Sequence, residues 1–388
     1  MKIVYLLPGG LFNSGGMERV VTIKANYLAE KMDYDVSIVT TEQMGRPLFY
    51  PVSNKIHLYH LDLGIYANFG KEKYIQKVFS RFLKIRQYRK SLEKLLHEIS
   101  PDITISTLGI DIDFLDKIQD GSVHLGELHF PGNYRHLMAK KMYTFFIPIL
   151  VEKIRTGLLR TKCRKLVRLI VLTEEEKKNW KNAGNVEIIP NPLSCIPEKT
   201  SICTSIKAIA VGRLVYEKGF DQLIKSWRIV HEKHPEWTLS IYGGGDQKET
   251  LLHLINQYGL DSVIEIHDPV KDIHSQFLEH SIMLFPSRCL EALPMVLIEA
   301  MSCGLPLVAF DAPCGPKDII TDGENGFLIS SGNIDFFAEK ICLLIESDVL
   351  RQSMGNAARQ MSFDYQENKI MNHWVLLFKE VMSDKTIK

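Results

Sequence analysis

The sequence predicts an α/β protein of two domains, each a parallel sheet between helical layers. Three observations predict it. Short apolar runs alternate with longer stretches of helical period. The alternation stops at Pro190-Asn191-Pro192 and restarts at Lys207. The chain of 388 residues is long for one core and comfortable for two. A composition of 45% hydrophobic and 24% charged residues is that of a soluble globular protein. A net charge of +1 argues against a nucleic-acid binder. The seven cysteines are scattered, with no Cys-x-x-Cys and no Cys/His cluster at zinc spacing, so they read as thiols in a reducing compartment.

The first strand is Ile3 to Leu7. Pro8-Gly9-Gly10 interrupts this apolar run too early for a signal peptide, and no stretch is apolar for long enough to span a bilayer. The expected location is cytoplasmic. The loop that follows carries Gly9, Gly10, Gly15 and Gly16 before a helix from about Gly16 to Lys31. It is either a flexible turn or a close approach of backbone to phosphate; the dinucleotide and Walker fingerprints are both absent. Strands two and three fall at Val36 to Thr41 and Lys55 to Leu61.

Two basic amphipathic stretches follow, Lys71 to about Lys94 and Lys140 to Arg168. They are either sheet-packing helices with solvated basic faces or a patch that docks on an anionic membrane. Between them, Pro101 to Thr107 reads as a strand. Asp111 and Asp113 after it form a D-x-D that reads as a helix-start cap rather than a metal site. His124 to Pro131 reads as a short strand with Glu127 and His129 on one face. Leu169 to Thr173 is a strand, and Val186 to Pro192 closes the first domain with a stiff Pro-Asn-Pro. Cys195 to Ser205 reads as a linker.

In the second domain, Ala208 to Val211 is a strand followed by a loop with Arg213 and Lys218, a fork of donors and a point charge that suit a diphosphate. Thr238 to Tyr242 is a strand ending in Gly243-Gly-Gly245, where close approach to a ligand is one reason for glycine. Ile264 to Val270 is a strand and loop. Ile282 to Phe285 is a strand whose Pro-Ser loop carries Glu291. A helix starting near Pro294 carries Glu299 and ends at Gly304. Its first N–H groups make a cradle for an anion.

These strings resemble the retaining nucleotide-sugar glycosyltransferases of family 4. The shared features are Glu291-x7-Glu299, Gly212-Arg213-Leu214 with Lys218-Gly219, Ile189-Pro190-Asn191-Pro192, and Asp322-Gly-Glu-Asn-Gly326. The resemblance implies a GT-B fold: two Rossmann-like domains facing a cleft, with boundaries at 1–190 and 191–364 and a final helix, 365–388, crossing back to the first domain. It implies a hexosyl- or N-acetylhexosaminyltransferase with a nucleotide-sugar donor, a UDP-sugar being expected, that needs neither cofactor nor metal. Catalytic roles fall to Glu291, His129, Arg213 and Lys218. Donor contacts fall to Gly16, Arg213, Lys218, Tyr242, Gly243, Val270, Glu291, Leu293, Pro294, Met295 and Glu299. In this scheme Glu299 takes the ribose hydroxyls, and Glu291 with the N–H groups of Leu293 to Met295 holds the sugar. His129 faces the sugar, and Arg213 and Lys218 bind the diphosphate. Asp268 stands where the family has glycine. Asn133 to His136 would line the acceptor cleft. Cys314-Gly-Pro316 resembles members that act in surface-glycan assembly, such as lipopolysaccharide or capsule. The expected acceptor is a glycan or polyprenyl-diphosphate-linked glycan, reached by peripheral contact with the membrane. An epimerase, a phosphorylase or a nucleotide-sugar sensor would share the fold; the joint presence of Arg213, Lys218, Glu291 and Glu299 argues against a sensor.

Overall fold

In a computed structural model, residues 1–13, 15–65, 74–131, 146–289, 291–312 and 315–387 are described. The chain forms two compact units, Met1–Pro192 with Asn368–Lys388, and Leu193–Glu367.

The first unit is a seven-stranded sheet, all parallel, in the order β3-β2-β1-β4-β5-β6-β7. Its strands are β1 (Lys2–Leu7), β2 (Asp35–Thr40), β3 (His57–His60), β4 (Ile103–Ser106), β5 (Val123–Glu127), β6 (Arg168–Val171) and β7 (Val186–Ile188). β1 is apolar on both faces because both are covered: Ile3 to Leu7 are fully buried. One covering element is the terminal helix Glu367–Ile387. Its Ile370, Trp374, Phe378 and Val381 recur at helical spacing and pack with Ile3 and Tyr5. The first helix, Gly16–Glu30, supplies Val21, Ala25 and Leu28 to the same core.

The second unit repeats the plan with six parallel strands in the order β10-β9-β8-β11-β12-β13. They are β8 (Lys207–Val211), β9 (Thr238–Tyr242), β10 (Ile264–His267), β11 (Ile282–Phe285), β12 (Leu307–Asp311) and β13 (Gly326–Ser330). In each sheet the order reverses beside the first strand, between β1 and β4 and between β8 and β11. Open α/β sheets bind ligands at such a switch point, outside the carboxyl ends of the strands.

Three expectations are corrected. Cys195 to Ser205 is not a loose linker. Ser201 N–H donates to Cys303 O (2.8 Å), its hydroxyl to His280 O (2.6 Å), and Cys203 is buried with its thiol on Gly304 O. The polar composition hid hydrogen bonds made to distant backbone. The second basic helix is Phe146–Cys163, and Arg168 opens β6, where it pairs with Glu187 and Glu380. Asp111 is no cap: Gly109 occupies that position ahead of the short helix Ile110–Asp113, and no side chain caps it. Asp111 is instead buried and accepts the Ser106 hydroxyl, while Asp113 pairs with Lys162.

Candidate active site

The second unit brings two loops of the candidate site together at the switch point. After β8 the chain passes Arg213 into a single helical turn, Tyr216–Lys218, and then Gly219 in the left-handed region at φ +69°. A Cβ at Gly219 would lie 2.1 Å from Pro286 O, so only glycine lets this loop press against the one after β11. Arg288 locks the two. Its N–H donates to Glu217 O (2.9 Å), its guanidinium takes both Asp221 oxygens (2.7 and 2.6 Å), and it covers the Tyr216 ring at 4.3 Å. This clamp sets Lys218 Nζ 2.6 Å from Glu291 Oε1, and the same oxygen accepts the hydroxyl of fully buried Ser287 at 2.5 Å. Glu291 is thus a buried carboxylate held from two sides, while Lys218 keeps 22% of its side chain exposed and two donors unspent on Glu291.

Glu291 leads into the helix Met295–Ser302, with Pro294 at its N-cap. The expected run of three donors from Leu293 to Met295 is corrected here: Pro294 has no N–H, so it contributes shape and its carbonyl, which Leu297 N–H uses (3.0 Å). The donors of the first turn are Met295 and its successor. Gly315, φ +86°, backs this loop; a Cβ there would sit 2.6 Å from Pro294 Cδ. Glu299 is buried one turn into the helix.

Arg213 is exposed at the loop edge. Its loop is zipped to the one after β9 by Leu214 N–H to Gly244 O (2.9 Å) and Gln247 N–H to Leu214 O (3.0 Å). That explains the glycines. A Cβ on Gly243 would meet Gly212 O at 1.9 Å, and one on Gly245 would meet Leu214 O at 2.3 Å. The close approach expected for a ligand is thus made by the chain itself. Tyr242 is nearly buried, donates to Gln276 Oε1 (2.5 Å) and stacks on His267 at 4.5 Å, with burial raising its hydroxyl pKa. Val270 is exposed nearby in sequence.

In the first unit Gly16 opens its helix, and a Cβ there would meet nothing within 4 Å, so packing does not demand the glycine. His129 lies two residues beyond β5, its side chain 3% exposed and its Nε2 3.3 Å from Glu127 Oε1. Asn133, Tyr134, Arg135 and His136 lie outside the described residues, as do Cys314 and the basic side chains of Lys71, Lys73, Lys77, Lys140 and Lys141. Among the described residues no group of three His, Cys, Asp or Glu is placed to hold a metal ion.

Sequence reasoning missed Ser287 and the Arg288–Asp221 clamp. Ser287 precedes Glu291 by four residues in the Pro-Ser loop, which was the available signal. Asp221 is 67 residues from Arg288, and no local pattern links them.

The model of the family described as "Glycosyl transferases group 1" matches residues 196–361. An uncharacterised glycosyltransferase of Haemophilus influenzae is 32% identical over 381 residues, 96% of this chain and 99% of that protein. The amylovoran biosynthesis glycosyltransferase AmsD of Erwinia amylovora is 29% identical over 386 residues, again 96% and 99%. Among solved structures, sucrose-phosphate synthase from Thermosynechococcus elongatus superposes with a TM-score of 0.79 at 16% identity, covering 99% of each chain. S. aureus TarM, solved with fondaparinux, α-GlcNAc-glycerol and UDP, superposes at 0.76 with 18% identity, covering 97% of this chain and 99% of that one. The fold is GT-B, and with near full-length identity above 30% to one relative the chain belongs to the group 1 glycosyl transferases.

Proposed function

We propose that the chain is a retaining, family 4 hexosyl- or N-acetylhexosaminyltransferase. It moves a sugar from a UDP-linked donor to a glycan, or to a polyprenyl-diphosphate-linked glycan, in surface-polysaccharide assembly. The observation that carries the reading is the Lys218–Glu291–Ser287 set beside the first turn of Met295–Ser302. It joins a buried carboxylate, for a sugar's hydroxyls, to a cation and a helix N-terminus, for a leaving diphosphate. UDP in the TarM complex and the role of AmsD in amylovoran synthesis support the donor and acceptor classes.

In this reading Glu299 accepts from the ribose hydroxyls and Glu291 orients the transferred sugar. Lys218, Arg213 and the first-turn N–H groups neutralise the diphosphate, which is how the reaction runs without a metal ion. Gly16 lies against the phosphates, Tyr242, Gly243 and Val270 form the nucleotide end, and His129 faces the sugar. The acceptor hydroxyl attacks the anomeric carbon on the face from which UDP leaves. Its C–O bond forms as the bond to the β-phosphate oxygen breaks. The electron pair goes to the diphosphate, and the hydroxyl proton passes to the departing oxygen, so configuration is retained.

The lipid-linked acceptor is supported by exposed apolar side chains in the first unit. Phe82 and Leu83 are exposed on the helix Tyr74–Ile99, and Leu150, Val151, Ile154 and Leu158 on Phe146–Cys163 beside Lys153, while Arg155, Lys162 and Lys165 pair with Glu152, Asp113 and Asp116. A protein with such a face binds phosphatidylglycerol vesicles at physiological salt; failure to sediment with them would remove this support. No helix among the described residues is long and apolar enough to cross a membrane.

The deciding experiment is a thermal-shift screen against UDP-, GDP- and ADP-sugars without metal. A ligand of the native state raises Tm. The expected result is a shift with a UDP-sugar that is lost in Glu299→Ala and Arg213→Ala; equal shifts in native and variant proteins would overturn the site.

A further inference from the structure

The first unit holds a charged cluster that its core does not need. Lys24 lies on the apolar face of the helix Gly16–Glu30, with Val21, Ala25 and Leu28, and its side chain is fully buried. Its ammonium donates to Glu127 Oε1 at the carboxyl end of β5 and sits 4.4 Å from the centre of the Trp374 ring. The same Glu127 oxygen is 3.3 Å from Nε2 of buried His129. Glu127 Oε2 is buried without a hydrogen-bond partner among the described residues.

Burying a lysine and a glutamate costs several kcal/mol per ion, and an apolar pair of the same volume does as well or better. A pair kept for stability would engage both carboxylate oxygens. Here one oxygen accepts from Lys24 and lies nearest His129, and the other carries none. Burial lowers the Lys24 pKa, and Glu127 only partly restores it. Burial would raise Glu127, but Lys24 and His129 outweigh it and hold the carboxyl at about 2, so a fixed anion lies beside the imidazole at any working pH.

The anion constrains His129. Nε2 lies 3.3 Å from Glu127 Oε1, at an angle short of a hydrogen bond, and the neighbouring carboxylate favours a proton on that nitrogen over Nδ1 alone. His129 follows the carboxyl end of a parallel strand, where α/β sheets bind ligands. We propose that Glu127, held in place by Lys24, is a positioning residue that fixes the orientation and the Nε2–H tautomer of His129 for glycosyl transfer. This rests on the reading that His129 faces the transferred sugar.

The test is 15N NMR of imidazole-labelled protein, with His129→Gln identifying the His129 signals. Native protein should show one tautomer, protonated at Nε2. Lys24→Met with Glu127→Leu removes both charges and the acceptor and should give tautomer-averaged signals. Lys24→Met with Glu127→Gln keeps an acceptor and should hold the tautomer. Native signals in the leucine variant would overturn the proposal. Should that variant not fold, the exchange lifetime of the His129 Nε2 proton in Lys24→Met with Glu127→Gln decides. A lifetime shortened tenfold or more supports the proposal, and an unchanged one overturns it. With the donor selected by the screen, kcat in the leucine variant should fall about 10–100-fold with donor KM unchanged. If His129→Gln turns over as fast as native while the tautomer result holds, it is the placement of His129 at the sugar that fails.

Discussion

Each unit carries, among the described residues, a lysine–glutamate pair near the carboxyl ends of its strands, and the two are built differently. Lys24–Glu127 joins a helix to a strand and is 0% and 1% exposed; Lys218–Glu291 joins two loops and is 22% and 7% exposed. A fully buried pair has no water to replace either partner, so removing one strands the other. A pair at a loop edge can exchange its partner for a ligand, because solvent and nearby hydroxyls take up the difference. The first is suited to holding geometry, the second to handing a cation over to a diphosphate.

The sharpest way to break this comparison is Lys24→Met alone. It leaves an unpaired buried carboxylate and should cost about 3–5 kcal/mol in urea unfolding, with most of it recovered when Glu127→Leu is added. No recovery would mean that the charges, not their pairing, carry the fold. The pair in the second unit should behave in the opposite sense. Lys218→Met should cost less than Lys24→Met, because Ser287 still donates to the Glu291 carboxylate, and Glu291→Gln should lower turnover about 10²–10³-fold with Tm near native. A Tm loss matching that of Lys24→Met would erase the distinction.

Asp111 extends the comparison to a buried carboxylate that pairs with no cation among the described residues. Burial pushes it up to about 6, against the opposing hydrogen bond from Ser106. The folded protein therefore holds this proton more tightly than the unfolded chain. Its contribution is present below about pH 4 and is lost as pH rises through about 6. Glu127 has the reverse sign, its contribution being lost as pH falls from about 4.5 towards 2. Asp111→Asn should flatten the decline between pH 4 and 6 and gain on the order of 2 kcal/mol at neutral pH; an unchanged stability profile would refute it. The smallest effect is expected from Ser287→Ala, which removes one of the two contacts to Glu291 Oε1. It should lower turnover about tenfold, near 1.4 kcal/mol, and a value equal to Glu291→Gln would make Ser287 more than an orienting hydroxyl.

The α/β class was legible because both sheets are parallel and covered on both faces, so their strands read as apolar runs bounded by glycine and proline. The strand β3 read weakly because it lies at a sheet edge and is only half covered. The loops bearing Lys218 and Glu291 were legible too, since each is set by its own strand–loop–helix unit. Lys24 was missed because a lysine among the apolar positions of a helix looks like a break in the pattern; only its partner, 103 residues away, explains it. The glycines after β9 were legible as close approaches but not as approaches to the neighbouring loop.

What the sequence determined by itself was thus the local grammar: where strands end, which loops carry charge, and where helices begin. Those features arise from steric and hydrogen-bonding preferences acting over a few residues. The tertiary structure alone decided which charges meet. Lys218 reaches Glu291 across 73 residues, Arg288 reaches Asp221 across 67, and Lys24 reaches Glu127 across 103. Such pairings depend on sheet order and on glycines that let backbones touch. Those are properties of the packed chain that no window of sequence contains.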